Sequence, residues 1–94
     1  MIADNVKIID SDYLDGVRYS ATIQINNKYY WVDLVNTIDY GNECMAFTSD
    51  KKGNVKNWGE LYYKRYIDLT EENFKKCIND FAKQLEGVNH DTQA

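Results

Sequence analysis

The sequence predicts an α+β fold, an antiparallel meander sheet of four to five strands with one C-terminal helix packed on one face. Two patterns predict it. Apolar and polar residues alternate through the central strands, and after residue 70 the apolar residues recur with the period of a helix. With 94 residues the chain has the length of one domain, which we assign to residues 1–87, followed by a flexible polar tail at residues 88–94.

The clearest element is a β-hairpin whose strands are VRYSATIQI and KYYWVDLVNT. Asn26 and Asn27 lie between them and suit the positive φ angles of a two-residue type I′ turn. That turn pairs Ile23 with Tyr30 and so determines which residues share a face. The apolar face is expected to carry Val17, Tyr19, Ala21, Ile23, Ile25, Tyr30, Val32 and Leu34.

Three further strands complete the predicted sheet. NVKIID precedes the hairpin, ECMAFTSD follows it, and VKNWGELYYKRYI comes last, with a break or bulge near Gly59. The turn DKKGN separates the last two strands, and Gly53 supplies its permissive backbone.

The C-terminal helix is predicted to begin after Thr70, a good N-cap, with Glu71 and Glu72 in the first turn. We expect Gly87 to end it as a C′ residue. One continuous apolar stripe faces the sheet and consists of Phe74, Cys77, Ile78, Phe81, Ala82 and Leu85.

The charge distribution disfavours direct binding to nucleic acid. The net charge is −4, and residues 1–50 carry eight acidic and three basic side chains, whereas residues 51–94 carry seven acidic and eight basic ones. An acidic first half repels phosphate. The best basic patch, formed by Lys51, Lys52 and Lys56, falls at a predicted hairpin tip.

Cysteine usage and hydropathy indicate a soluble intracellular protein. Cys44 and Cys77 lie far apart, match no metal spacing, and are expected to be reduced thiols. The N-terminal residues MIADNVKIID lack the basic and apolar regions of a signal peptide. No apolar run approaches the roughly 20 residues that span a bilayer. We expect no membrane contact, no metal and no cofactor.

The acidic segment DSDYLDG, residues 10–16, raises the possibility of a calcium loop, which its spacing does not support. An EF-hand needs oxygen ligands at positions 1, 3 and 5, glycine at position 6 and glutamate at position 12. Counted from Asp10, these last three positions hold Leu14, Asp15 and Ala21. The segment is therefore interpreted as a turn whose side chains satisfy local backbone groups, with an acidic recognition loop as the functional alternative.

No catalytic constellation emerges from the sequence. The single histidine, His90, falls beyond the predicted end of the helix, where nothing would hold its imidazole. Cys77 lies on the apolar stripe and Cys44 lies in a strand, so both are interpreted as core thiols. We therefore expect a protein that is not an enzyme.

Aromatic residues provide the main hint of a binding surface. Tyr29 and Trp31 lie on the second face of the hairpin, and one helix covers only one face of the sheet. The segment WGELYYKRY adds Trp58, Tyr62, Tyr63 and Tyr66. Tyr and Trp are enriched at binding hot spots, and nearby acidic residues influence specificity and association rate.

Two strings, YYWVDLVNTIDYGNECMAF and NWGELYYKRY, resemble segments of small proteins encoded by phages and mobile elements of Gram-positive bacteria. The resemblance covers about half of the chain and is a pattern, not a catalytic signature. The matching residues are Glu43, Met45, Phe47, Trp58, Glu60, Leu61, Tyr62, Arg65 and Tyr66.

The resemblance implies a context in which genes of this size often encode inhibitors of host defence, among them anti-CRISPR proteins. It implies a protein in the cytoplasm of the bacterial host. A net charge of −4 is mild beside duplex DNA, which carries one charge per about 1.7 Å. An inhibitor of this kind would block a specific patch, rather than imitate a long duplex.

We therefore expect a stoichiometric inhibitor of a host defence nuclease, with a CRISPR effector as the leading candidate. It would occupy a nucleic-acid-binding or activation site through an acidic and aromatic surface. A homodimeric interaction module and an accessory protein of the mobile element are the alternatives. The residues expected to contact the partner are Asp10, Asp12, Asp15, Tyr29, Trp31, Asp39 and Glu43.

Overall fold

The computed structural model describes residues 2–14, 18–37 and 41–93, with side chains over 2–11, 18–37 and 41–87. The strands β1 to β5 pair with their neighbours in chain order, all antiparallel, and one helix, α1, follows them. The predicted α+β fold is confirmed. The elements are β1 (Val6–Leu14), β2 (Arg18–Ile25), β3 (Lys28–Thr37), β4 (Gly41–Ser49), β5 (Val55–Arg65) and α1 (Glu71–Gln93).

The register of β2 and β3 is the one predicted from their two-residue turn. Ile25 pairs with Lys28, and Ile23 pairs with Tyr30. The turn itself differs from the prediction, because type I′ requires a positive φ at both central residues. Only Asn26 takes one, at +58°, and Asn27 does not. The register therefore depends on the two-residue length and on the matched apolar faces.

Strand β1 is longer than predicted and includes part of the acidic segment. Asp10 pairs with Thr22, and the strand runs on to Leu14, so the interpretation of residues 10–14 as a turn is wrong. The register shifts between Ile8 and Asp10 and again farther along the strand, and each shift accommodates one extra residue. Backbone N–H and C=O groups of this segment therefore pair with β2, and do not depend on hydrogen bonds from local side chains as in the predicted turn.

The turn between β4 and β5 is held by Asp50 and Gly53. The Asp50 carboxylate accepts hydrogen bonds from the backbone N–H groups of Lys52 and Asn54, at 2.9 and 3.0 Å. Gly53 has a φ of +86°, and a Cβ at this position would lie 2.5 Å from Thr22 Oγ1 on β2. Glycine is therefore required both for the turn conformation and for the approach of the turn to the sheet.

Strand β5 is irregular where the sequence predicted a bulge. Thr48 pairs with Asn57, yet Ala46 pairs with Tyr62, so the segment 58–61 leaves the regular ladder around Gly59. The Asn57 side chain accepts a hydrogen bond from the Gly59 N–H at 2.8 Å. The bulge changes which residues of β5 face the helix.

Helix α1 packs against the sheet through aromatic contacts. Phe81 meets Tyr30 edge-on at a centroid distance of 5.0 Å and lies 6.0 Å from Tyr62. Phe74 lies 5.9 Å from Tyr19. Each buried aromatic side chain of this kind contributes a large share of the apolar area removed from water. The predicted apolar stripe of α1 is confirmed as the core-facing side of the helix.

The predicted start of α1 is confirmed, whereas its predicted end is wrong. Thr70 Oγ1 accepts a hydrogen bond from the Asn73 N–H at 3.1 Å, which confirms the predicted N-cap. The predicted end at Gly87 is wrong, because α1 continues to Gln93. Glycine costs only about 1 kcal/mol in a helix interior and does not by itself end a helix. The predicted flexibility of residues 88–94 stays a prediction.

Candidate protein-binding surface

The sheet face that points away from α1 is here called the open face. Strand alternation places the second set of hairpin residues on it, and the registers of β4 and β5 extend it across the sheet. No described helix lies over this face. Its described side chains include Arg18, Thr22, Trp31, Asp33, Glu43, Met45, Phe47 and Tyr63.

Three aromatic side chains cluster on the open face. Trp31 stacks on Phe47 with ring centroids 6.2 Å apart, and Trp58 packs edge-on against Phe47 at 5.1 Å. Phe47 is buried beneath this arrangement, whereas Trp58 keeps 68% of its surface exposed. Trp58 therefore covers the cluster and presents most of its own ring to solvent.

An ion pair between the buried Asp33 and the partly exposed Arg18 supports one side of this cluster. Arg18 Nε donates to Asp33 Oδ1 at 2.9 Å, and the Arg18 guanidinium lies 5.7 Å from the centre of the Trp31 ring. Burial raises the pKa of Asp33, while the hydrogen bond and charge of Arg18 act in the opposite direction. The pair orients the guanidinium over Trp31, a cation–π arrangement that restrains the ring.

A second polar chain crosses from β4 to β5. Tyr63 donates its hydroxyl hydrogen to Glu43 Oε1 at 2.8 Å, and Arg65 Nε donates to the Tyr63 hydroxyl oxygen at 2.7 Å. The Arg65 guanidinium also lies 5.3 Å from the centre of the Tyr63 ring. The Glu43 carboxylate therefore makes a hydrogen bond within the protein, and this bond holds the Tyr63 side chain in place.

Among the side chains that the structure describes, the most exposed large apolar ones all lie on β5 or directly after it. Tyr66 is 78% exposed, more than Trp58, and Leu61 and Tyr63 are close to two-fifths exposed. We call these four residues the β5 surface. They were absent from the residues expected to contact a partner, although the aromatic segment WGELYYKRY had indicated them. Trp58 and Tyr63 are five positions apart and would lie on opposite faces of a regular strand, so the irregular part of β5 is what places both on the open face.

Tyr66 adopts a backbone conformation that is unfavourable for its residue type. Its φ is +58°, in the left-handed region, where a residue other than glycine, asparagine or aspartate costs roughly 1–2 kcal/mol. A backbone hydrogen bond from its N–H to the Asn42 carbonyl, 2.8 Å long, holds it there. Because the ring is mostly exposed, burial of its apolar surface does little to offset this cost. A strained residue that displays its side chain is a candidate for function.

The β5 surface lies in the basic part of the molecule. Residues 51–65 contain five basic side chains and one acidic one, a net charge of +4 within a protein of net charge −4. The rest of the chain therefore carries −8. The charge of the segment that contains most of the β5 surface is therefore opposite in sign to that of the rest of the chain.

Of the residues predicted to contact a partner, the structure describes the side chains of Asp10, Tyr29, Trp31 and Glu43. Asp10 is exposed on β1 and stands in one row of the sheet with Thr22, Trp31 and Phe47. Tyr29 and Trp31 are half-buried on β3. The backbone of Asp12 lies in β1, and Asp15 and Asp39 lie outside the described residues.

Glu43 stays a predicted contact residue, and its carboxylate is already engaged within the sheet. Glu43 is 6% exposed and accepts the hydrogen bond from Tyr63. Strand β4 begins at Gly41, so Glu43 lies in the sheet and not in the preceding loop. Its neighbours in the register, Val35 and Arg65, flank it on both sides.

Where side chains are described, no group of three or more His, Cys, Asp or Glu residues is arranged to hold a metal ion. No helix in the described part of the chain has both the length and the apolar character needed to cross a bilayer. No protein family, curated protein or solved structure matches this chain.

Replacing Arg18 with alanine is expected to lower the free energy of unfolding by about 1–3 kcal/mol at neutral pH. The substitution leaves the Asp33 carboxylate buried without its partner, and an unsatisfied buried group of this kind costs about that much. The loss should shrink as the pH falls, because the folded-state pKa of Asp33 is raised and protonation removes the unpaired charge. Urea unfolding between pH 4 and 7 measures both effects.

The matched control is the double variant R18A/D33N, which lacks the charge on both sides. Its stability should depend less on pH than that of R18A. A pH dependence identical in the two variants would contradict the assignment of the effect to Asp33.

Proposed function

We propose that this protein is a non-enzymatic inhibitor that binds a partner protein through the β5 surface and the adjoining open face. The exposure of Trp58 on the edge strand β5, and of Tyr66 directly after that strand, carries the proposal. Large exposed aromatic residues are the side chains that contribute most to binding free energy once a partner desolvates them.

The edge position of β5 adds a backbone contribution to this surface. Strand β4 pairs with one side of β5, and the outer side is an open edge of the sheet. An extended segment of a partner can pair with such an edge while its side chains contact the neighbouring rings. Gln84 Nε2 already donates to the Leu61 carbonyl oxygen at 2.7 Å, so pairing is restricted to the rest of the strand.

The proposed target is a nuclease of bacterial host defence, of which a CRISPR effector is the leading candidate. Support for this target class comes from the resemblance of the two sequence strings to small proteins of phages and mobile elements. The net charge of +4 over residues 51–65 favours an acidic surface of the nuclease, such as an activation or catalytic surface, over its basic nucleic-acid channel.

The acidic residues of β1 supply a second region of contact. Asp10 occupies the same row as Trp31, two strands away, and the full sheet is about 19 Å wide at a strand spacing of about 4.8 Å. A partner that covers the open face from β5 therefore reaches Asp10. Basic side chains of the partner would pair with this end of the sheet.

A homodimer formed through β5 is the alternative, and charge disfavours it. A two-fold pairing of β5 with its own copy brings together two regions that each carry +4. Like charges placed opposite each other in paired strands are destabilising. Light scattering on the purified protein distinguishes the two cases, since a stable dimer would support the alternative.

The proposal is tested by adding the purified protein to guide-loaded CRISPR nucleases of Gram-positive hosts and measuring target-DNA cleavage. Trp58→Ala should weaken inhibition by roughly thirtyfold, the effect of losing a hot-spot residue worth about 2 kcal/mol. Its melting temperature should change little, because the side chain is mostly exposed. Lys83→Ala, an exposed substitution on α1, serves as the matched control. Equal inhibition by wild type and W58A would exclude the β5 surface.

Tyr66→Asn should separate binding from stability. Asparagine tolerates the left-handed conformation better than tyrosine does. The free energy of unfolding of the variant should therefore be about 0.5–1 kcal/mol higher than that of wild type. Inhibition should nevertheless weaken, because the exposed ring is lost. A variant that is both less stable and fully inhibitory would contradict both assignments.

Reversing the charge of Asp10, Asp12 and Asp15 together should weaken binding and leave the melting temperature nearly unchanged. The reason is the loss of attraction to basic side chains of the partner, and the effect should be greatest at low salt. Titration calorimetry at two salt concentrations measures it. If the triple variant binds as tightly as wild type, the acidic end of the sheet is not part of the interface.

A further inference from the structure

Two cysteines that are 33 positions apart in the chain meet between the helix and the sheet. Cys44 lies on the face of β4 that α1 covers, and Cys77 lies on the apolar stripe of α1. Both are free and buried in the same core cluster, and each thiol shifts the pKa of the other, which places the two close together. Ala46, the next inward residue of β4, is also small, which lets α1 approach this strand closely.

A cavity of about 240 Å³ reaches Cys77 from the surface between α1 and the end of β5. Its lining surface is mainly apolar, with the polar groups of five side chains at its margins, and its volume is large enough for water and small molecules. Lys64 and Asp80 stand at this cavity, and the Lys64 ammonium lies 3.7 Å from the Asp80 carboxylate. The lining residues are Lys64, Ile67, Asn73, Lys76, Cys77, Asn79 and Asp80.

The surroundings favour the thiolate at Cys77 over one at Cys44. A hydrogen bond from the Cys44 thiol lowers the pKa of Cys77, and the Tyr62 hydroxyl and the Lys64 charge act in the same direction, while burial and Asp80 oppose them. The pKa of Cys44 is raised, first by its hydrogen bond to Cys77 and then by burial, with Asp33 and Asp80 adding to the rise.

We propose that Cys77 is a hydroperoxide-reactive thiol and that Cys44 resolves its oxidised form into a disulfide linking α1 to β4. The cavity provides the route to Cys77, and the buried Cys44 on the facing strand β4 provides the resolving partner. Reactive cysteines of this type combine access, a favoured thiolate and an adjacent second cysteine.

The chemistry has two steps. Cys77 Sγ attacks one oxygen of the hydroperoxide, the O–O bond breaks, and the departing hydroxide or alkoxide takes a proton from solvent. Cys77 is thereby oxidised to a sulfenic acid, and the peroxide is reduced. Cys44 Sγ then attacks Cys77 Sγ and loses its proton, the S–O bond breaks, and water leaves as the disulfide forms.

Treatment of the folded protein with dilute hydrogen peroxide tests the proposal, with intact-mass and peptide mass spectrometry as the readout. Wild type should lose two hydrogen atoms and form one intramolecular link between Cys44 and Cys77. The oxidised protein should melt at a higher temperature, because the link joins the helix to the sheet across a long loop. A folded protein that gains oxygen atoms without forming the link would overturn the proposal.

Two variants assign the roles of the cysteines. Cys44→Ser lacks the resolving thiol, so its Cys77 sulfenic acid should persist and be trapped by dimedone. Cys77→Ser should give no dimedone adduct at Cys44 under the same conditions. An adduct at Cys44, or no adduct in either folded variant, would contradict the assignment, and circular dichroism verifies that each variant is folded. The wild-type experiment does not depend on either variant.

Discussion

The antiparallel register of β2 and β3 is the constraint on which the rest of the structure depends. A shift by one residue would turn Ile23 and Tyr30 away from the helix and place Thr22 and Trp31 in the core. Strands β1 and β4 take their registers from this central pair, and α1 can pack only on the face that the pair makes apolar. The same register also determines the open face, because it places the ion pair of Arg18 and Asp33 and the aromatic cluster on the side away from α1.

One helix on a five-stranded sheet leaves the molecule with two unlike sides. On the helix side, Phe74 and Phe81 fill the space above three tyrosines, and the core is closed. On the open side, the protein uses Arg18 and Asp33 to restrain Trp31 and uses Glu43 to hold Tyr63. These contacts fix the orientation of the rings but leave part of each ring exposed to solvent. Rings held in place but left exposed lose little conformational entropy when a partner covers them, which is a property of efficient binding surfaces.

Several parts of this organisation could be read from particular residues. Alternation across VRYSATIQI and KYYWVDLVNT predicted the register, and Thr70 with the stripe from Phe74 to Leu85 predicted the helix and its inner side. The residues of the candidate site were harder to predict, because their environments depend on pairing between strands. Glu43 is an acidic residue of a type usually found at the surface, yet its neighbours in the sheet bury it. Trp58 and Tyr63, five positions apart, share the open face only because β5 is irregular between Asn57 and Tyr62.

By itself, the sequence determined the periodicities, the cap and the turn lengths, because these depend on residues close together in the chain. Tertiary structure decided the features that depend on distant partners. Pairing with β2 extended β1 through Asp10, and α1 continued past Gly87 because the helix tolerates one glycine. The contact between Cys44 and Cys77 likewise exists only once α1 lies on β4, since no local pattern brings together residues so far apart in the chain.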